Sequence, residues 1–197
     1  MTGVQTCALP ICQENTSIGT YALYSNVNGV KNTAVGNGAL YGLSGFGSDY
    51  SRNSALGDSA LARNRFGNDN TAVGAMALSS NVSFSQHVAI GSRALYSTTA
   101  SYPNTAVGYS SQDSTTTGSA NTSLGSFSLT ANKTGINNTS IGNASMFQII
   151  TGNDNTAMGN DAMRLDSGSN NTGLGSAALR YNKRSNNTAV GDRKSVV

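Results

Sequence analysis

The sequence predicts an all-β chain: a parallel β-solenoid, or β-roll, of about eleven coils of 17 residues. Three observations predict it. Gly (23), Asn (24), Ser (28) and Thr (20) together supply 95 of the 197 residues, whereas Leu, Ile, Val and Phe supply 36. A five-residue string recurs at a nearly constant interval. Glycine punctuates each interval twice.

Composition narrows the choice first. So much Gly, Asn, Ser and Thr disfavours a helical bundle, and so few large apolar residues cannot fill a thick globular core. No stretch approaches the roughly 18 consecutive apolar residues of a membrane-spanning helix, so no membrane insertion by this segment is expected. The formal net charge is +3 with 11% charged residues, too weak a field to expect nucleic acid as a partner.

The two ends read differently from the middle. Residues 1–11, MTGVQTCALPI, and residues 192–197, DRKSVV, resemble translated sequencing adapter flanking a fragment of a longer reading frame. They are set apart from the repeat domain, 12–191. Cys7 lies within the first flank and Cys12 at its junction. The rest of the repeat domain holds no cysteine, so neither a disulfide framework nor a cysteine-based zinc site is expected.

The repeat itself begins at NTSIG (15–19) and continues as NTAVG (32–36), NSALG (53–57), NTAVG (70–74), HVAIG (87–91), NTAVG (104–108), NTSLG (121–125), NTSIG (138–142), NTAMG (155–159), NTGLG (171–175) and NTAVG (187–191). Successive closing glycines are spaced by 17, 21, 17, 17, 17, 17, 17, 17, 16 and 16 residues. Seventeen residues cannot hold two helices, but they hold two short strands and two turns. Coils stacked ~4.8 Å apart would make a rod roughly 50 Å long. The 21-residue interval carries an extra loop within 42–51.

A second string follows three residues after each glycine, most often Ala-Leu, as at Ala77-Leu78. Ser111-Gln112 departs from it, which predicts the loosest turn there. The branched residue before glycine is expected to face the coil interior, and strand alternation puts the Thr two places earlier on the same inner side. The branched column runs Ile18, Val35, Leu56, Val73, Ile90, Val107, Leu124, Ile141, Met158, Leu174 and Val190. The Ala or Ser between them, and the Ala preceding each inward Leu, would face outward. These columns of small residues would form the contact between copies of a rod too thin to stand alone.

Each unit opens on Asn: Asn15, Asn32, Asn53, Asn70, Asn104, Asn121, Asn138, Asn155, Asn171 and Asn187. Identical amides at strand spacing can hydrogen-bond along the stack, so a structural Asn ladder is expected. His87, the only histidine, stands in that column and reads as a ladder substitution rather than a metal ligand or base.

The repeated N-[TS]-[AS]-[VIL]-G-x-x-[AS]-[LM] resembles the head repeats of trimeric autotransporter adhesins, the YadA-like heads. It is also similar to the NTAVG-x-x-AL arrays of bacteriophage tail-fibre and related bacterial surface proteins. The resemblance spans residues 15–191. It implies a left-handed β-roll, association of three chains, an extracellular place on a virion tail fibre or bacterial surface, and cell adhesion or host attachment.

Chemistry is sparse. No catalytic, cofactor-binding or metal-ligating set is expected, and the scattered acids show no glycosidase-like pair. The aromatic residues Tyr24, Tyr41, Tyr96 and Phe147 fall five places after a glycine and read as surface contacts. Phe46 and Tyr50, in the inserted loop, are further candidates. The function expected is therefore a structural and adhesive rod whose partners are copies of itself and a host surface polymer or glycan. A polysaccharide-degrading, tailspike-like enzyme is the alternative. An ice-binding solenoid ranks below both, because the Thr column is placed inside.

Overall fold

The computed structural model describes residues 4–5, 14–42, 49–99, 102–165 and 167–193. Its strands form one twelve-stranded sheet in sequence order. Eleven are parallel three-residue strands, one per coil: β2 (Thr16–Ile18), β3 (Thr33–Val35), β4 (Ser54–Leu56), β5 (Thr71–Val73), β6 (Val88–Ile90), β7 (Thr105–Val107), β8 (Thr122–Leu124), β9 (Thr139–Ile141), β10 (Thr156–Met158), β11 (Thr172–Leu174) and β12 (Thr188–Val190). Their register pairs like with like, so that Ala72 lies beside Ala55 and Ala89. The first strand, β1 (Val4–Gln5), falls in the segment read as adapter and pairs antiparallel with β2. The chain is a β-solenoid.

The second segment of each coil is not a strand, as expected, but a run of turns. It is nonetheless tied from coil to coil. The N–H of Met76 donates to Asp58 O at 2.8 Å, that of Leu78 to Ala94 O at 3.0 Å and that of Ser80 to Tyr96 O at 3.1 Å. Left-handed backbone makes this possible. Thirty described residues other than glycine have positive φ, among them Asp69, Met76 and Leu78 within a single coil. In an extended strand, adjacent side chains point to opposite sides. The left-handed turn at Leu78 breaks that rule, so Ala77 and Leu78 are both fully buried. The inward Leu column is therefore where the sequence places it, while the preceding Ala is inside rather than outside.

The left-handed conformation also explains a choice of letters. None of the thirty is Val, Ile or Thr. A side chain branched at Cβ crowds the backbone most severely there. The interior column of the turns is accordingly built from Leu and Met.

In the strand the expected parity is inverted. Ser17, Ala34, Ala55, Ala72, Ala89, Ala106, Ser123, Ser140, Ala157 and Ala189 are buried, while Ile18 is 42%, Leu124 49% and Val190 66% exposed. The branched column and the Thr column lie together on the outer face of the sheet. The physical reason is the size of the coil. Two left-handed corners draw the chain so tight that the interior holds one Leu or Met, two small residues and amides. A branched side chain at the strand centre would overfill it. Gly173 shows the limit: a Cβ there would sit 2.9 Å from Cγ of Met163.

Glycine closes each strand for two reasons. Gly74 has φ +124°, and a Cβ on it would lie 2.6 Å from the carbonyl carbon of Gly91 in the next coil. Backbone thus packs directly on backbone at that corner.

The departure at Ser111-Gln112 is not loose. Both side chains are fully buried, and Gln112 Nε2 donates to Thr105 O at 2.9 Å and to Ser123 Oγ at 2.8 Å. Ser123, where the neighbouring rung has Ala106, supplies a hydroxyl partner to both side chains, and hydrogen bonds take the place of the Leu packing.

Candidate functional site

The Asn ladder is present, but its bonds run mainly to backbone. In each rung Oδ1 accepts the N–H of the next column member, as Asn53 does from Asn70 at 2.9 Å and Asn104 from Asn121 at 2.9 Å. The amide Nδ2 donates across the coil, from Asn53 to Gly67 O at 2.9 Å and from Asn121 to Gly135 O at 2.8 Å. Direct amide-to-amide bonds join some pairs, such as Asn155 to Asn138 at 3.0 Å. These side chains therefore satisfy turn groups that the short strands leave unpaired. They are walls of the rod, not a ligand site.

A second buried Asn column escapes the sequence reading. Asn64 Oδ1 accepts from Gly67 N at 2.9 Å and its Nδ2 donates to Gly67 O at 2.8 Å. Asn132 closes the turn to Gly135 in the same way. The signal was the spacing N-x-x-G at 26–29, 64–67 and 132–135, in phase with the repeat. Such an Asx turn needs its side chain inside when the turn is stacked.

The described carboxylates act as clips between coils. Asp69 receives Arg52 Nε at 2.6 Å and Nη2 at 2.9 Å, and this pairing holds its carboxyl below the usual aspartate range. Asp113 receives Arg93 in the same two-pronged way. Asp49, Asp58 and Asp154 each accept an Asn amide from the neighbouring coil. Asp161 pairs with Arg164 at 3.5 Å and Arg180 at 3.3 Å. Among the described residues no three His, Cys, Asp or Glu side chains gather to hold a metal ion. No described helix is long and apolar enough to cross a membrane.

The sequence-predicted contact residues fall into three places. Tyr24 is 60% exposed and stacks on Tyr41, centroids 5.1 Å apart and planes 8° apart, with Tyr21 edge-on to both. Tyr96 is half-buried beneath the Arg93 guanidinium, 4.4 Å from its centroid. Phe147 is half-buried and meets Phe127 edge-on at 6.2 Å, which in turn meets Tyr109 at 5.2 Å. Tyr50 is not a surface residue. It is fully buried, its hydroxyl donates to Leu40 O at 2.8 Å, and burial pushes its phenol well above the ordinary value. Its ring belongs to the buried cluster that also holds Leu40 and Leu61. Phe46 lies outside the described residues.

The largest unpartnered feature is the outer face of the sheet. Thr and aliphatic side chains stand in two in-register columns along β2–β12, from Thr16 and Ile18 to Thr188 and Val190. The stripe carries no charge, and its aliphatic members Ile18, Leu56, Ile90, Leu124, Met158 and Val190 are all exposed. Comparison of the chain with protein-family models, with curated proteins and with solved structures finds no match.

Proposed function

We propose that this chain is the structural and adhesive rod of a phage tail fibre or bacterial surface adhesin. It acts without chemistry, outside the cell, by associating with copies of itself and attaching to a host surface polymer. The observation that supports this reading is the charge-free Thr/aliphatic stripe. A rod with this much apolar surface in one straight column is matched best by an identical straight column. Copies of this chain laid in parallel bring like rungs together along the full length. The number three and the left hand of the coil come from the resemblance to adhesin heads and tail fibres. The small-residue columns, first placed at this contact, are buried within the coil and take no part in it.

The mechanism is multivalent. Three rods side by side present each weak surface site in triplicate, so avidity exceeds single-site affinity when the polymer spans them. Sedimentation equilibrium tests the core of the reading. The wild type should sediment as a trimer, and Val73→Lys with Val107→Lys should sediment as a folded monomer. A monomeric wild type would overturn the proposal.

A second reading uses the same face. Thr hydroxyls and methyls repeat along the stripe at ~4.8 Å intervals on exposed backbone of fixed register, the kind of flat array that can order water. Its demotion rested on a buried Thr column, and the column is outside. Thermal hysteresis by a monomeric chain is its test, since a face covered by another rod cannot meet ice. The glycan-cleaving alternative asks for a carboxylic acid held protonated. Asp49, Asp58, Asp69, Asp113 and Asp154 instead accept hydrogen bonds from Arg or Asn side chains of neighbouring coils.

A further inference from the structure

The left-handed turn positions two residues after each closing glycine stack into a column of their own, in which Phe127 is 39% and Ala144 9% exposed. In three successive coils that column reads Phe127, Ala144, Asp161. A ring and a carboxylate therefore flank a methyl group, and the gap between the flanking rungs is about 9.6 Å, two coil spacings. Beside it, five residues after each glycine, stand Phe147 and Arg164. The result is a groove of about 400 Å³ with Ala144 in its lining. That volume is within the ordinary size of a small-ligand pocket, roughly 300–1,000 Å³.

The groove wall is mixed in a particular way. Phe127 and Phe147 supply aromatic surface, held edge-on to each other at 77°. Arg164 lies with Cζ 5.3 Å from the Phe147 centroid and is tied to Asp161, which Arg180 also grips. Ring, guanidinium and carboxylate are thereby fixed before any ligand arrives, which lowers the ordering cost of binding. Asn143 and Asn160, both exposed, add two planar amides at the rim. Arg164 and Arg180 against Asp161 leave a single surplus positive charge.

The geometry points to a binding site for one pyranose unit of a glycan, seated over Ala144 between Phe127 and Asp161. A pyranose ring has an apolar C–H face and an equatorial belt of hydroxyls. The aromatic rings meet the first. The carboxylate accepts from the second, while the guanidinium and the amides donate to it. A flat aromatic ligand would leave the belt of planar polar groups without partners, and a free anion would leave the two phenyl rings without contact. The site rests on the adhesive reading and gives it a ligand class and an address.

The test uses the full chain and three probes: maltotriose, N-acetyllactosamine and N,N′-diacetylchitobiose, titrated by saturation-transfer-difference NMR and calorimetry. Ala144→Phe fills the notch. Its backbone is suited to the change, because Phe127 holds the same conformation at the equivalent position. Ser59→Phe, at that position in a distant coil, is the control. At least one probe should bind the wild type and Ser59→Phe alike, and lose about tenfold or more in affinity to Ala144→Phe, with melting temperatures unchanged. Phe147→Ala should weaken it as well. Equal binding by wild type and Ala144→Phe would place the sugar elsewhere and overturn the groove while leaving the adhesive reading standing. Binding of none of the three probes by a chain that still adheres to a polysaccharide-coated surface would likewise overturn the groove alone. Failure to adhere would remove the reading beneath it.

Discussion

The Nδ1 atom of His87 accepts the backbone N–H of Asn104 at 3.1 Å, in the place where every neighbouring rung uses an amide oxygen. His87 continues the ladder in both directions, since its backbone N–H donates to Asn70 Oδ1 at 2.9 Å. His87→Asn should therefore keep or raise stability. His87→Leu, which leaves the Asn104 N–H buried without an acceptor, should cost about 1–3 kcal/mol. Urea unfolding of the two variants checks the order, and a less stable Asn variant would contradict the ladder role.

Inside and outside can be told apart by a pair of adjacent substitutions. Ala72→Leu adds three carbons to a filled coil and should cost about 2 kcal/mol or more. Val73→Ala, on the outer face, should change monomer stability by less than about 1 kcal/mol. Chemical denaturation at low protein concentration separates them. The reverse order would restore the parity that alternation alone first suggested.

How far the letters reveal the fold is clearest at this pair. The period, the Asn column and the inward Leu follow from spacing and chemistry. The parity of Ala72 and Val73 does not, because alternation has two solutions. Their choice depends on how narrow the coil is. That narrowness is set by left-handed corners at positions such as Met76 and Leu78, which no strand-based reading supplies. A trace of it was present: Val, Ile and Thr are missing from those columns while they crowd the strand. Tyr50 differs from its expected place for a related reason: an insertion marks surface by its composition, whereas this ring lies buried in the coil interior. The groove at Ala144 was half legible through Phe147. Its carboxylate and second ring sit in a column whose placement needs the same left-handed geometry.

Leu78 should tolerate Met far better than Ile. All three are similar in volume, but Ile at φ 55° is crowded by its second Cγ. Leu78→Ile should lose about 1–3 kcal/mol and Leu78→Met less than about 1.5 kcal/mol. Thermal denaturation followed by circular dichroism reads the difference.

Tyr50 predicts an alkaline limb. Its folded-state phenol lies above the ordinary value of 10.0 because burial disfavours the phenolate. The stability it confers is complete below that value and is lost as pH climbs from there toward the folded-state value. Tyr50→Phe should cost about 1 kcal/mol at neutral pH. Its melting temperature should fall less than the wild type's above pH 10, and parallel curves would refute the assignment.

The clip between Arg52 and Asp69 should work only while the carboxylate is charged. Because its folded-state value is lowered by Arg52, the contribution is present above the ordinary aspartate range and is lost as pH falls through the lowered one. Both groups are exposed, so the effect is small and salt-screened. Arg52→Gln should narrow the difference in melting temperature between pH 5 and pH 2, and 1 M salt should erase that narrowing.

Each strand of the sheet touches only the strand before it and the strand after it. Length in such a molecule is a matter of copy number. Duplication or loss of one 17-residue unit would move the tip by ~4.8 Å and leave every surviving contact intact. The number of stacked coils can thus change by recombination between repeats alone, without inventing a single new side chain.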